Sequence, residues 1–414
     1  MSAGIFTSQL FTQDLARKSF EGMITRLMPN GTAPLFGLTS MLESEIAAQI
    51  EHGFFSKTML FPQLTATAAG QTAGDTTFTV TSTVNVLPGM IMRVDTTGEN
   101  IIVNAILSAT QVSVTRGVGT IAAQAVAANG NMWQVGNAFE EASLRPTALA
   151  INPLRVTNLT QIFRNTWAIS GSVAATQMIA GDTNIAENKM DCAAFHAADI
   201  EKAIFFGQKF QGTRNGQPFH MMDGIVSIVS NLAYYPPTYA STNVTVAGGT
   251  TNYTQFEAAF DPAFNQATDP KYANERVLFV GGTAKKVINN IGRLNGTYFM
   301  VDGQTSWGLQ FSTIKIARGT FRIIEHPLFN TNASWSKYAI AVDLNTFRLA
   351  YLGDRKTQHL PFNPMTSTGQ PEDETAQDNG IDATGGTLTT ELTTVIKNPP
   401  AFAIMTNLTA AAAG

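Results

Sequence analysis

One stretch limits the possible folds more than any other: Asn184 to Gly207 carries the pattern of a single long helix. Asn184 and Glu187 stand in capping-box spacing, with Asp182 and Thr183 beside them, so the first free N–H groups have acceptors close by. Met190, Ala194, Ala197, Ile200 and Ile204 recur at steps of three and four and mark one apolar stripe. Glu187, Asp191, Asp199 and Lys202 take other faces, and Gly207 supplies the stop. A helix of this length reaches on the order of 30 Å. Such a rod needs a broad, flat partner along its stripe. Just before it, Thr157 to Ser172 is rich in β-branched and aromatic residues and reads as strand.

Further along, Pro236-Pro237 and Gly248-Gly249 punctuate a loop-rich stretch, after which Phe256, Phe260 and Phe264 repeat every fourth residue, as on a buried helix face. Leu278-Phe279-Val280 reads as a buried strand, and Gly281-Gly282-Thr283 leads into a helix through Val287 and Ile291. Strand alternating with helix predicts an α/β sheet, distinct from the β-rich stretch upstream. Phe321 to Ile324, Ala339 to Val342 and Phe347 to Leu352 predict a β-rich final third. At the other end, Phe11, Leu15, Met23 and Leu27 give Leu10–Leu27 a moderate amphipathic helical pattern, closed by Pro29-Asn30-Gly31. That helix suits either its own domain or an arm laid on a neighbour.

Between Gly70 and Val135 the period switches to two. Thr76 to Thr81, Met90 to Val94, Ile101 to Ile106 and Val112 to Thr115 read as short strands, with turns at Pro88-Gly89, Thr97-Gly98 and Arg116-Gly117. This predicts a small all-β module of about 60–70 residues inserted into a larger domain. Gly117-Val118-Gly119 reads as a hairpin turn and not a phosphate cradle, since no long strand precedes it and no helix follows.

Charged residues are only 14% of the 414, against roughly 25% in ordinary soluble domains. A chain so poor in charge, yet without a bilayer-length apolar run, is expected to bury much of its outside against other subunits. The net charge of −4 argues against sequence-independent nucleic-acid binding, which needs an excess of Lys and Arg. The single cysteine, Cys192, excludes an intrachain disulfide framework and any Cys-based metal cluster. With no secretory signal, the chain is expected to fold in a cytoplasm, and sequons such as Asn30, Asn158 and Asn295 read as by-products of abundant Asn and Thr.

Motifs that carry chemistry are missing. The five histidines, His52, His196, His220, His326 and His359, form no paired-ligand spacing. Gly281 to Lys285 lacks the frame of a phosphate loop, and Ser170-Gly171-Ser172 lacks that of a nucleophile elbow. Asp378-Asn379-Gly380-Ile381-Asp382 resembles a fragment of a calcium loop, making Asp378 and Asp382 partial metal candidates without the terminal Glu; a solvated acidic loop, like Glu372-Asp373-Glu374, is the better reading. No catalytic residue and no cofactor is expected. Glu140 and Glu141, followed by Arg145, read as an intersubunit ion pair or an exposed turn rather than a general acid pair.

Three stretches, taken together, resemble one family. They are Thr157 to Ser172 running on to EKAIFFGQK at Glu201–Lys209, VDLNTFRLAYLGDRKTQHLPFNP at Val342–Pro364, and DNGIDATGGTLTTELTTVIKNPPAFAIMTNL at Asp378–Leu408. Their order and wording resemble the major head proteins of tailed phages in the SU-10-like group, over most of the chain after Asn137 and more loosely over the first 60 residues. The resemblance implies an α+β HK-97-like capsid fold: a peripheral domain with a long spine helix, an axial domain and an extended loop, here carrying an inserted small all-β domain. The implied divisions are 1–62, an N-terminal arm and the start of the extended loop; 63–135, the β insertion; 136–180, the return of the loop; 181–218, the spine helix; 219–342, the axial domain; and 343–414, the closing strands.

The implied function is self-assembly into the icosahedral head of a tailed bacteriophage around double-stranded DNA. Hexamers and pentamers of the chain would form it, alongside portal, scaffold or decoration proteins, with no sequence-specific DNA binding and no membrane. The product would sit in the virion capsid, after synthesis and assembly in the bacterial host cytoplasm. Candidate subunit contacts are Trp133, Glu140, Glu141, Arg145, Asp354 and Arg355. Rival readings are an encapsulin-like nanocompartment shell, a tail or baseplate protein and, from another class, a glycan hydrolase using Glu140 or Glu141.

Overall fold

The computed structural model describes residues 33–40, 42–57, 61–67, 69–148, 150, 152–176, 184–236, 239, 241–265, 274–294, 301–306, 309–363 and 382–412. The expected helix at Leu10–Leu27, the Glu372–Glu374 cluster and Asp378 lie outside these residues. Two compact units emerge: one from the segment up to Phe54 together with Val156 onward, the other from Phe55–Arg155. The whole is α+β.

Unit 1 opens with α1 (Pro34–Ser40), β1 (Glu45–Ala47) and β2 (Glu51–Ser56). Unit 2 holds β3 (Gln63–Thr65), β4 (Thr77–Thr79), β5 (Met90–Val94), β6 (Asn100–Ser108), β7 (Gln111–Thr115) and β8 (Asn131–Asn137). The chain returns through β9 (Leu154–Leu159), which pairs with β2, then β10 (Gln161–Ser170), α2 (Gly171–Ala174) and the long α3 (Asn184–Phe206). A hairpin of β11 (Phe210–Arg214) and β12 (Gln217–Met221) leads through α4 (Ile225–Ser230) to β13 (Val244–Val246), β14 (Thr250–Thr251) and α5 (Tyr253–Phe260). Next come β15 (Glu275–Val280), α6 (Gly282–Leu294), β16 (Val301–Ser306), β17 (Leu309–Lys315), β18 (Thr320–Glu325) and β19 (Ala339–Val342). The chain closes with β20 (Phe347–Leu352), β21 (Gln358–Phe362), β22 (Ala383–Ile396), β23 (Ala403–Thr406) and β24 (Ala410–Ala411).

In unit 1, α3 lies on a sheet ordered β1-β20-β22-β10, with β21 also pairing β22. Alternation along β10 turns Phe163, Trp167 and Ile169 inward and leaves Ile162, Arg164 and Ser170 out. The buried side of α3 is not the stripe expected from sequence. Ile200 and Ile204 are buried, but Met190 is exposed and Ala194 and Ala197 only half-buried; Cys192, His196, Glu201 and Phe205 complete the inner face. Polar groups are tolerated there because the sheet beneath supplies hydrogen-bond partners.

A second sheet in unit 1 runs β13-β23-β19-β15-β18-β17-β16. Its central strands are buried on both faces, so they read as unbroken apolar runs such as VLFV and AIAV. Val277, Phe279, Ile340 and Val342 join the core of α1, α3 and α4, whereas Leu278, Val280, Ala339 and Ala341 meet α5 and α6. Phe256 and Phe260 face that second core from α5, as their spacing predicts, and Phe264 follows in a 3₁₀ turn.

Unit 2 is a closed barrel. The six strands are ordered β3-β8-β5-β6-β7-β4, and the two end strands meet through the bridge Ala66↔Val80 with Thr67 N–H donating to Thr79 O and Thr81 N–H to Thr65 O. Leu64, Phe78, Met92, Ile101, Val112 and Met132 fill the interior. Closure removes the open edges that a flat sheet of this size would expose. The expected hairpin at Gly117–Gly119 is absent: β7 pairs with β6 and β4, β8 with β3 and β5, and Gly117 instead begins a loop across the barrel.

Candidate subunit-contact surfaces

A buried polar seam holds α3 to its sheet. His196 places Nδ1 2.7 Å from Asn165 Oδ1 and Nε2 2.8 Å from Thr390 Oγ1. Asn165 spends its amide N–H on Asp199, so its oxygen accepts and His196 carries its proton on Nδ1. Thr390 then donates to His196 Nε2 and accepts from Thr357. Burial lowers the His196 pKa, opposed by the Asp199 charge, and the seam needs the neutral ring. Next to it, Trp167 Nε1–H donates to His359 Nε2 at 3.1 Å with the rings stacked. Gly386 makes room for that imidazole and Gly385 for the Phe362 ring; a Cβ at either position would overlap the aromatic group.

Glu201 does a second job from α3. Ala33 precedes α1; its carbonyl accepts from Gly37 N–H, but its methyl group caps nothing. Leu35 N–H donates to Glu201 Oε1 at 2.8 Å and Phe36 N–H to Oε2 at 2.7 Å, so a carboxylate 165 residues away supplies the cap. His326 Nε2 donates to the same Oε1 at 2.8 Å, and both side chains are fully buried among Phe205, Phe279 and Phe329. Sequence reasoning missed this pair, because neither residue stands in a motif.

In unit 2, Arg116 pins one end of the barrel. Its Nε and Nη2 each donate to Glu99 at 2.7 Å, while Gly117 N–H and Gln124 N–H donate to the same carboxylate at 3.0 and 3.1 Å. Nη1 reaches Thr72 O, Nη2 reaches Gln124 O, and the guanidinium lies over the Phe78 ring. Burial opposes the Glu99 charge, but the Arg116 bonds and the two backbone donors outweigh it and hold the carboxyl below the usual range. Gly117 adopts φ +62°, which lets its N–H turn inward to Glu99.

These are framework contacts; no group of three or more His, Cys, Asp or Glu comes together among the described residues. What stands free is apolar. Large side chains exposed on unit 1 include Ile46, Phe195, Phe210 and Leu360, and on unit 2 Phe61, Trp133, Val135, Phe139 and Leu144. A family model described as SU10 major capsid protein matches residues 5–409.

The chain belongs to the SU10 major capsid protein family.

The major capsid protein of Pseudomonas phage PaMx41 is 38% identical over 410 residues, spanning 98% of this chain and 96% of the relative. Similar solved structures include the capsid of an empty GTA particle (12% identity, 98% of both chains, TM-score 0.43). Another is Mycobacterium phage Bobi, with 10% identity over 95% of this chain and 96% of that one at a TM-score of 0.43. Family membership makes the chain a structural capsid protein and sets aside the glycan hydrolase reading.

On this capsid protein the expected contact residues fall into two places. Trp133 points outward from β8, and Glu140, Glu141 and Arg145 are exposed on the segment that follows it. Asp354 is exposed in the turn after β20, and its neighbour Arg355 forms an ion pair with the buried Glu391 of its own chain. Asp382 sits where β10 meets α2, its carbonyl accepting from Gly171 N–H.

Proposed function

We propose that the chain tiles with copies of itself into the closed icosahedral head of a tailed bacteriophage around double-stranded DNA. The family match over residues 5–409 carries this reading. Low charge and exposed apolar side chains on both units support it, since each lowers the cost of covering a subunit with its neighbours. Many modest contacts, closed by symmetry, then add up without any single strong interface.

We assign the HK-97 capsid fold, with α3 as the spine helix within 181–218, the axial domain over 219–342, and the strands of 343–414 closing the peripheral sheet. Residues 1–62 and 136–180 make the arm, the extended loop and its return, and 63–135 the inserted barrel. Hexamers and pentamers, with portal, scaffold or decoration proteins as partners, and assembly in the host cytoplasm complete the proposal. The near-neutral balance of 26 basic and 30 acidic residues suits a wall that encloses DNA without gripping it. Electron microscopy of the purified full chain, alone and with its scaffold, tests it. Closed shells are expected; a chain that stays monomeric under both conditions refutes the reading.

A further inference from the structure

The tip of the β11–β12 hairpin carries a chemistry that no shell contact uses. Asn215 and Gly216 form its turn, both exposed, with φ of +52° and +73°. Positive φ at both positions is what a tight two-residue hairpin demands, and Asn-Gly meets it readily. The same pair sets a side-chain carboxamide next to an unshielded backbone nitrogen. A Cβ built on Gly216 would find no heavy atom within 4 Å, and among the described residues no backbone carbonyl accepts from its N–H. Among those residues β11 and β12 pair only with each other. A two-stranded hairpin is marginal in water, so its tip opens at little cost. Asn129-Gly130 has the same sequence and the opposite setting. Gly130 is buried, its N–H donates to Ala127 O at 3.0 Å and its carbonyl accepts from Ala66 N–H at 2.9 Å, while Asn129 N–H donates to Thr67 O. Freeing that nitrogen means opening the barrel where Ala66 bridges Val80. The other three Asn-Gly pairs, at Asn30, Asn295 and Asn379, lie outside the described residues.

We propose that Asn215 is a site of spontaneous deamidation, which the fold permits at the hairpin tip and suppresses at Asn129. Once the tip opens, Gly216 N gives its proton to solvent base and attacks Asn215 Cγ. The new N–C bond closes a cyclic imide as the Cγ–Nδ2 bond breaks and ammonia leaves. Water then opens the ring. Attack at Cγ leaves an aspartyl residue; attack at the backbone carbonyl carbon leaves an isoaspartyl residue, with the chain routed through Cβ. Either product places a carboxylate next to Arg214. The isoaspartyl form also lengthens the backbone inside the turn, so the Arg214↔Gln217 pairing that the turn fixes loses its register. None of these steps needs a second copy, so this site and the shell reading stand or fall separately.

Ageing the purified full chain at pH 8 and 37 °C, with timed samples digested and mapped by mass spectrometry, tests the site. Conversion of amide to acid at Asn215 is expected to run at least about tenfold faster than at Asn129, because only the hairpin tip opens cheaply. The Asn215 product is expected to contain isoaspartate, read by enzymatic methylation of the isoaspartyl carboxylate. In concentrated guanidinium chloride, where both turns are open, the two rates should converge to within about threefold. Equal rates in the folded chain, or no isoaspartate at Asn215, overturns the proposal. So does a gap that persists undiminished in guanidinium chloride, since flanking sequence and not the fold would then set it.

Discussion

Replacing Glu99 by Ala isolates the energetics of the barrel. The carboxylate is fully buried and accepts four hydrogen bonds, two from Arg116 and one each from Gly117 and Gln124. Removing one partner of a buried ion pair costs about 3–5 kcal/mol, because the other charge stays behind unpaired. Arg116 keeps the carbonyls of Thr72 and Gln124, which places the loss near the lower figure, about 3 kcal/mol. Hydrogen exchange reads this by region: amides of β6 and β7 should exchange roughly a hundredfold faster, with unit 1 unchanged. The double variant Glu99→Leu, Arg116→Met should recover part of the loss, since no buried charge then remains. Less than tenfold acceleration, or equal acceleration in unit 1, would refute the reasoning.

Glu201→Gln leaves one acceptor oxygen for two α1 N–H groups and His326, so α1 amides should lose about 1–3 kcal/mol of protection while β6 and β7 keep theirs. Stability should also fall with acid in two steps. His196 is held below 6.5 in the fold, so as the pH drops under 6.5 the unfolded chain takes up a proton the folded chain refuses. The second step lies below 4.5, where Glu99, depressed in the fold, loses a contribution that is fully present above its unfolded value. Melting temperatures of the free subunit across pH 8 to 3.5 check both steps, and His196→Asn should flatten the first. Gly386→Ala should displace the His359 ring from Trp167 and cost about 1–3 kcal/mol by overpacking, measurable by urea unfolding.

The elements built on local pattern were legible in the chain. The helix expected from Asn184 is α3, Asn184–Phe206, and the two-faced burial of β15 and β19 is visible in their unbroken apolar runs. The inner face of α3 was misread because apolar spacing counts His196 and Glu201 as solvent-facing. Their partners, Asn165, Thr390, Leu35 and His326, lie 31 to 194 residues away. Barrel closure was hidden for the same reason: β3 and β4 have three residues each, and the bridge joining them depends on the whole sheet. Among the candidate contacts, Trp133 is exposed on β8, while its neighbour Met132 turns into the barrel.

The distant cap on α1 also orders events in time. A seven-residue helix beginning at Ala33 and Pro34 is too short to persist by itself in water. Its N–H groups meet no carboxylate until residue 201 has been made, and that carboxylate meets no imidazole until residue 326. Among the described residues, the first helix to leave the ribosome is therefore among the last to be secured, and it stays uncommitted while the rest of unit 1 is still being built.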